Sequence, residues 1–427
     1  DRSTSMPRAR FSYFNLIDLL VPIVSIILGF VVGMILIALA GKNPFGAYGA
    51  MFSGAFGSIG NISEAILKTA ILTFTGLSVA FAYKVGLFNI GAEGQFIVGA
   101  ITAAFLGHWV HLPSYLHIPL ILVASFLMGG LWAAIAGWLK VSRGVHEVIS
   151  TIMLNWVAIY LVEAWLVTGP LSAVAESGSN TAGTPIIDTS AQLWRFIAYP
   201  PDQAGRIALI AIILLIGTLI AHYILNHGHL TKTMNWVFSL VVGAGVTGLS
   251  TFAIMRWQYG ILGARVDIGI FIALAAVVVT YFLLYRTVLG YEIRATGYNQ
   301  EAARYAGINV KQRTVLTMFI AGGLAGVAGM LMVCGTEKRF PGVFPGGYGF
   351  DGIAMALIGQ NSPIGTFLAS VLFGIIRGGA TSMQLPPYEI HKTFADIIQG
   401  SVVLFIAANN IIRYLLMLPI RRKEEVG

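Results

Sequence analysis

Charge is scarce in this chain. Only 10% of its 427 residues are Asp, Glu, Lys or Arg, against 57% hydrophobic. A soluble domain carries about 25% charged residues, so this composition cannot cover a water-facing surface and excludes an ordinary globular fold. Cysteine is nearly missing. Cys334 stands alone, which excludes a disulfide framework and cysteine-built metal clusters. The chain has no G-x-x-x-x-G-K-[ST] string, so it does not itself bind and hydrolyse ATP in P-loop fashion. His146-Glu147 lacks the second histidine of a zinc-protease helix, and no G-x-S-x-G elbow occurs. His227 and His229 lie close together but have no third ligand nearby. No catalytic set, no metal and no cofactor is expected.

What is present is a series of continuous apolar runs of about 20 residues, the length that crosses a bilayer as helix. A β-barrel would show short alternating segments instead. The fold class read from this pattern is all-α: a polytopic membrane protein with about ten transmembrane helices. Spans are predicted near 19–40, 66–83, 89–106, 118–139, 148–167, 207–225, 237–255, 268–285, 315–333 and 397–418. The first follows Arg2, Arg8 and Arg10; it is too long for a signal-peptide core and no A-x-A-like site follows, so it is predicted to stay as a membrane helix. An eleventh segment, 350–376, is interrupted by Gly359-Gln360-Asn361-Ser362-Pro363, a poor sequence for continuous helix. It reads as a broken or re-entrant element, which is tolerated at membrane depth only where protein or a water-filled cavity surrounds it.

Placing the N-terminus inside assigns most of the 26 Lys and Arg to the cytoplasm, including Arg286, Arg294, Arg304, Lys311 and Arg313. Lys42, Arg195, Lys338 and Arg377 fall outside in this scheme. The net charge of +8 is then the positive-inside bias, with no nucleic acid implied. Both termini are cytoplasmic if the broken segment enters and leaves on one side. The predicted organisation is a cytoplasmic N-terminus (1–18), a single transmembrane domain (19–418) and a cytoplasmic tail (419–427). Within the domain lie an external Ser/Thr/Gly/Pro-rich loop at 168–205, a helical hairpin at 206–255 and a cytoplasmic loop at 290–313.

Polar residues at membrane depth are the candidate site. Asn89, Glu93 and Gln95 lie in a glycine-rich stretch; Glu147, Ser150, Thr151 and Asn155 recur at spacings of three and four and share a helical face; Asp351, Gln360 and Asn361 belong to the broken segment. Ionisable groups there usually face a cavity or a partner. The set is read as lining a path for an uncharged, hydrogen-bonding solute, the alternative being polar bonds that join helices. Lys68 is read as pairing with Glu64 or reaching the interface. Residues 94–107 and 359–374 both run from Gly-Gln into a small-residue helix, a faint internal repeat.

The loop 290–313 is the one compact polar surface between two apolar runs, and it has the character of a docking site. Its Glu301-Ala302-Ala303 with Gly307 follows the E-A-A-x-x-x-G pattern, and this resembles the coupling loop of permease subunits in ABC importers. The longer string from Gly290 to Ile308 is similar to the ribose, branched-chain amino acid and nucleoside branch. Gly86 to Gln95 and His146 to Asn155 resemble the nucleoside permeases that work with a basic-membrane-protein type lipoprotein. The resemblance implies a nucleoside importer in a bacterial cytoplasmic membrane, with a separate cytoplasmic ABC ATPase, a second related permease and an external solute-binding lipoprotein. It implies that Asn299, Glu301, Ala302, Ala303, Arg304 and Gly307 form the coupling helix. The alternatives are a simple-sugar or branched-chain amino acid permease, or an ion-coupled secondary transporter using Glu93 or Glu147. The hairpin 206–255 departs from the family pattern.

Overall fold

A computed structural model describes residues 8–167, 169, 183–195, 266–342, 344, 346–391 and 393–408. Its architecture is helical, and among the described residues extended pairing is limited to two isolated bridges, Gly183 with Pro341 and Arg195 with Asp267. In chain order the helices are α1 (Arg8–Leu39), α2 (Pro44–Phe56), α3 (Ile59–Tyr83), α4 (Ala92–Trp109), α5 (Ser114–Arg143) and α6 (Glu147–Ile159). After residue 266 follow α7 (Gly269–Arg286), α8 (Val288–Tyr298), α9 (Gln300–Tyr305), α10 (Val310–Leu331), α11 (Tyr348–Ile358), α12 (Pro363–Met383) and α13 (Thr393–Ala407). Helices α6 and α10 each run on into a wider π-helical turn, Tyr160–Leu166 and Met332–Glu337.

Among the described residues, five helical stretches are long and apolar enough to cross a bilayer: Gly60–Tyr83, Ser114–Arg143, Gly269–Arg286, Val310–Glu337 and Pro363–Met383. Shorter apolar helices accompany them at Ile23–Leu39, Glu147–Val162, Tyr348–Ile358 and Thr393–Ile406. The protein is therefore a polytopic helical membrane protein. The predicted hairpin spans 207–225 and 237–255 lie outside the described residues.

Local chemistry sets the helix ends. Asn43 caps α2 by accepting from the Phe45 and Gly46 amides, with Pro44 at the first helical position. Gly144 adopts φ +69° and ends α5. The break at 359–362 falls where the sequence puts it. Gln360 and Asn361 take φ +52°, Ser362 accepts from the Gly365 amide, and Pro363 opens α12. The broken segment differs from expectation in its proportions: α11 has 11 residues, whereas α12 has 21 and is a full crossing helix. The short α2 was not expected, because its 13 residues lack the length and periodicity of a span.

The centre of the bundle is the antiparallel pair α3 and α10. Glu64 and Lys68 near the start of α3 share a cavity wall with Thr336 and Glu337 at the end of α10. Small residues bring backbones together on both sides of this pair. A Cβ on Gly99 of α4 would lie 2.1 Å from the Gly326 carbonyl oxygen of α10, and one on Gly129 of α5 would lie 2.5 Å from that of Gly322. On the opposite flank, Gly374 and Gly378 of α12 lie against Thr69 and Ala65 of α3. Thus α12 packs on α3 as α5 packs on α10, and α11 packs on α3 as α4 packs on α10. With α3 and α10 opposed in direction, this is an inverted repeat relating α3–α5 to α10–α12. The sequence likeness between 94–107 and 359–374 pairs α4 with α12 and so does not follow the repeat in the packing.

The Gly99 contact generates a test. Gly99→Leu forces the α4 and α10 backbones apart, an overpacking cost of about 1–3 kcal/mol. A lower melting temperature of the purified protein in detergent is expected, and an unchanged one would show that these backbones do not touch.

Candidate functional site

Two helices, α4 of 18 residues and α11 of 11, start beside each other. The first turn of α4 abuts that of α11, so closely that a Cβ on Gly349 would lie 2.2 Å from the Glu93 amide nitrogen. From there they diverge. The far end of α4 meets the loop at 184–195, where the Asp188 amide donates to the Gly107 carbonyl, while α11 ends at the turn leading to α12. Two helix N-termini thus bring unsatisfied amides and partial positive charge to one place. Glu93 answers both. It lies in the first turn of α4, is 2% exposed, and its two carboxylate oxygens accept from the Gly347 and Gly349 amides, each at 2.6 Å. Gly347 stands at φ +93°, which a glycine reaches without strain.

Around this junction the predicted polar residues separate into groups. Asn89 and Gln95 form a reciprocal amide pair, each donating to the other at 2.9 Å, and Asn89 also donates to Ser78 Oγ at 3.1 Å. Asn155 of α6 accepts from the Gly94 amide and donates to the Ile90 carbonyl, both at 2.8 Å. It therefore caps α4 from another helix, where Gly91 offers no side chain. Thr151 packs against Gly91, but its hydroxyl donates to the Glu147 carbonyl of its own helix, as does that of Ser150. Glu147 sits apart at the start of α6, ion-paired with Lys140 at 2.7 Å. Asp351 belongs to a second knot: it takes Arg377 of α12 as ion-pair partner and a hydrogen bond from Gln399 of α13. Gln360 and Asn361 form the α11–α12 turn, Gln360 exposed and the Asn361 Oδ1 buried without a hydrogen-bond partner among the described residues.

Sequence reasoning missed Arg377. Counting charges puts it in an external loop, whereas the structure puts it inside α12, with its guanidinium 4.1 Å above the Tyr348 ring and one amino group reaching the Gly346 carbonyl. Lys68 does not pair with Glu64; its ammonium donates to the Arg377 carbonyl at 3.1 Å. An unbroken α12 through Arg377, with Asp351 one helix earlier, was the available signal.

The 290–313 loop folds as two helices. Asn299 ends α8 and caps α9, accepting from the Ala302 amide at 3.0 Å. Gly307, at φ +82°, turns the chain, and the Ile308 amide returns to the Ala303 carbonyl at 3.0 Å. Ala303 is buried against Ile308 and Val310, so it anchors α9 from beneath. Glu301 and Arg304 pair with each other at 2.9 Å on the exposed side. Tyr298 and Tyr305, 89% and 92% exposed, flank the short helix, a pairing that sequence reading did not single out. Glu292 of α8 holds Arg313 of α10 at 2.6 Å. Gly297 lies directly on the segment after α3, where a Cβ would stand 2.2 Å from the Lys84 carbonyl oxygen. Burial there, with Arg294 nearby, pushes the Lys84 ammonium below its usual range.

Comparison with known proteins gives a consistent result. The family described as branched-chain amino acid transport system / permease component matches residues 61–407. The chain is 32% identical over 404 residues to the guanosine ABC transporter permease protein NupP of Bacillus subtilis, covering 94% of this chain and 97% of that one. It is 31% identical over 402 residues to the nucleoside ABC transporter permease protein NupB of Lactococcus lactis, covering 93% of each. It is 29% identical over 385 residues to the glucose ABC transporter permease protein TsgB13 of Haloferax volcanii, covering 90% of this chain and 86% of that one. No solved structure matches.

Glu93→Gln turns one acceptor into a donor facing the amides of α11. The expected loss is about 1.5–3 kcal/mol, the range for a hydrogen bond to a charged group. It is read as a lower thermal midpoint in detergent, and wild-type stability in this variant would rule out the carboxylate as the joint between α4 and α11.

Proposed function

We propose that this chain, which belongs to the branched-chain amino acid transport system / permease component family, is the membrane-spanning permease subunit of an ATP-driven ABC importer for nucleosides in a bacterial cytoplasmic membrane. The observation that carries the reading is the element at 290–313: a short capped helix with an anchored Ala303 and two almost fully exposed tyrosines. Large exposed aromatics beside a small-residue helix fit a partner surface better than water. ATP hydrolysis belongs to a separate cytoplasmic ATPase that docks here, with Asn299, Glu301, Ala302, Ala303, Arg304 and Gly307 forming the contact. The N-terminus, the C-terminus and this element then face the cytoplasm, and residues 19–418 form one transmembrane domain. A second, related permease and an external solute-binding lipoprotein complete the importer.

The solute path borders the α4–α11 junction and the α11–α12 turn. Asn89, Glu93, Gln95, Glu147, Ser150, Thr151, Asn155 and Asp351 hold the elements that flank it, and Gln360 and Asn361 present side chains at the turn. Nucleosides are favoured by the guanosine and nucleoside names of two relatives, each matched over more than nine-tenths of its length. A sugar solute is the second reading, supported by the relative named for glucose. Movement of the ATPases would act on α8 and α9 and pass through Gly297 into the segment leading to α4.

Gly307→Val places a β-branched residue at φ +82°, a strain of about 1–2 kcal/mol or more. It should uncouple ATP hydrolysis from uptake while the bundle stays folded, and normal uptake would remove the docking assignment. Substrate choice is read by competition in membranes carrying the whole importer. Unlabelled nucleosides should block labelled nucleoside uptake, and block by glucose or branched-chain amino acids alone would reassign the solute.

A further inference from the structure

Apart from the α4–α11 junction, one cavity gathers charged side chains that nothing above employs. It has a volume of about 250 Å³ and lies between the first turns of α3, the π-helical end of α10 and the ring of Tyr348. Glu64, Lys68, Thr336, Glu337 and Tyr348 supply its polar wall, with Leu67, Ile71 and Met332 as the apolar remainder. Glu64, Leu67, Lys68 and Ile71 follow helical spacing, so one face of α3 forms a whole side.

The hydrogen-bonding capacity of this wall is unbalanced. Glu64 and Glu337 feel each other's charge, with Lys68 acting on Glu64 and Arg339 on Glu337, yet among the described residues neither carboxylate makes a hydrogen bond or a close ion pair. Lys68 has three N–H donors, and the bond it makes within the protein goes to the Arg377 carbonyl rather than to a carboxylate. Tyr348 is fixed in place because Arg377 covers its ring. Both residues are partly exposed and line the cavity, so their four carboxylate oxygens are open to donors from a solute as well as from water. An occupant that displaces that water must bring several N–H or O–H groups close together. A cation held by two carboxylates would leave slowly, whereas a path needs sites that bind and release. A neutral vicinal diol satisfies both conditions: adjacent hydroxyls donate to one carboxylate, the same chemistry by which an acidic side chain holds a ribose in dinucleotide folds.

We propose that this cavity is a transit subsite for the sugar edge of the solute, in which Glu64 and Glu337 accept from the 2′- and 3′-hydroxyls of a ribose and Lys68 donates to its oxygens. The inference rests on the nucleoside reading and adds to it the part of the molecule that the permease itself recognises. The volume is below the 300–1,000 Å³ of pockets for larger ligands; it suits a pentose with the base left projecting.

The test is uptake of a labelled ribonucleoside and of its 2′,3′-dideoxy analogue, at concentrations below saturation, by membranes carrying the complete importer. Wild type is compared with Glu64→Gln, Glu337→Gln and the double variant, and co-purification of the ATPase checks assembly. Losing charge-assisted hydrogen bonds to the diol should lower the ratio of ribonucleoside to dideoxy uptake about tenfold in the double variant. The receptor is common to all samples, so a changed ratio belongs to the permease. An unchanged ratio, whether both uptakes persist or both fall together, overturns the subsite while leaving the nucleoside reading intact. Absence of uptake of either compound by wild type overturns the nucleoside reading, and the subsite with it.

Discussion

The rest of the bundle depends on a buried carboxylate between two helix N-termini. Helices α4 and α11 both begin among buried residues, where little water can satisfy their first amides or screen their dipoles. Left alone, the two positive ends would repel and the amides would be orphaned. Glu93 resolves both by accepting from α11 while sitting in the first turn of α4. Burying a charge is costly without such partners, so the carboxylate and the two helix starts require each other. The neighbouring knot of Asp351, Arg377 and Gln399 ties α11 to α12 and α13. Both devices hold short helices that apolar packing alone would not orient.

Around this junction the packing is of another kind. Gly99 on Gly326 and Gly129 on Gly322 bring α4 and α5 against α10 with no side chain between the backbones. In a bilayer apolar side chains gain little by leaving lipid for protein, so close van der Waals approach and backbone proximity carry association. The inverted arrangement of α3–α5 and α10–α12 uses this twice, once on each flank of the α3–α10 pair. The polar joints therefore lie near the centre of the repeat, and the small-residue contacts on its flanks.

Much of this was legible in the sequence. Apolar length located α3, α5, α7 and α10, and Gly359 to Pro363 marked the break at the right residues. The E-A-A-x-x-x-G pattern marked the stretch that folds as α9 and its Gly307 turn, while the Asn299 cap appears only in the structure. What failed did so for physical reasons. Arg377 was misplaced because the broken segment was read as ending at residue 376, whereas α12 continues to Met383, and its partner Asp351 is 26 positions away. The helix α2 is too short for a periodicity argument. Glu93 and Asn155 were found as polar residues at depth, but their roles were not, since each accepts from the first turn of a helix other than its own and only tertiary contact reveals the donor. The likeness between 94–107 and 359–374 reflected shared Gly and Ala content, which recurs wherever helices touch.

The contact of Gly297 with the Lys84 carbonyl has a mechanical consequence. Side chains absorb small displacements by changing rotamer, so a joint built from them is compliant. This joint is backbone on backbone, and at its far end lie only the few residues leading to Asn89 and the start of α4. A displacement of the helix pair α8–α9 therefore bears on the root of α4 through main chain alone, with no rotamer between them to take it up.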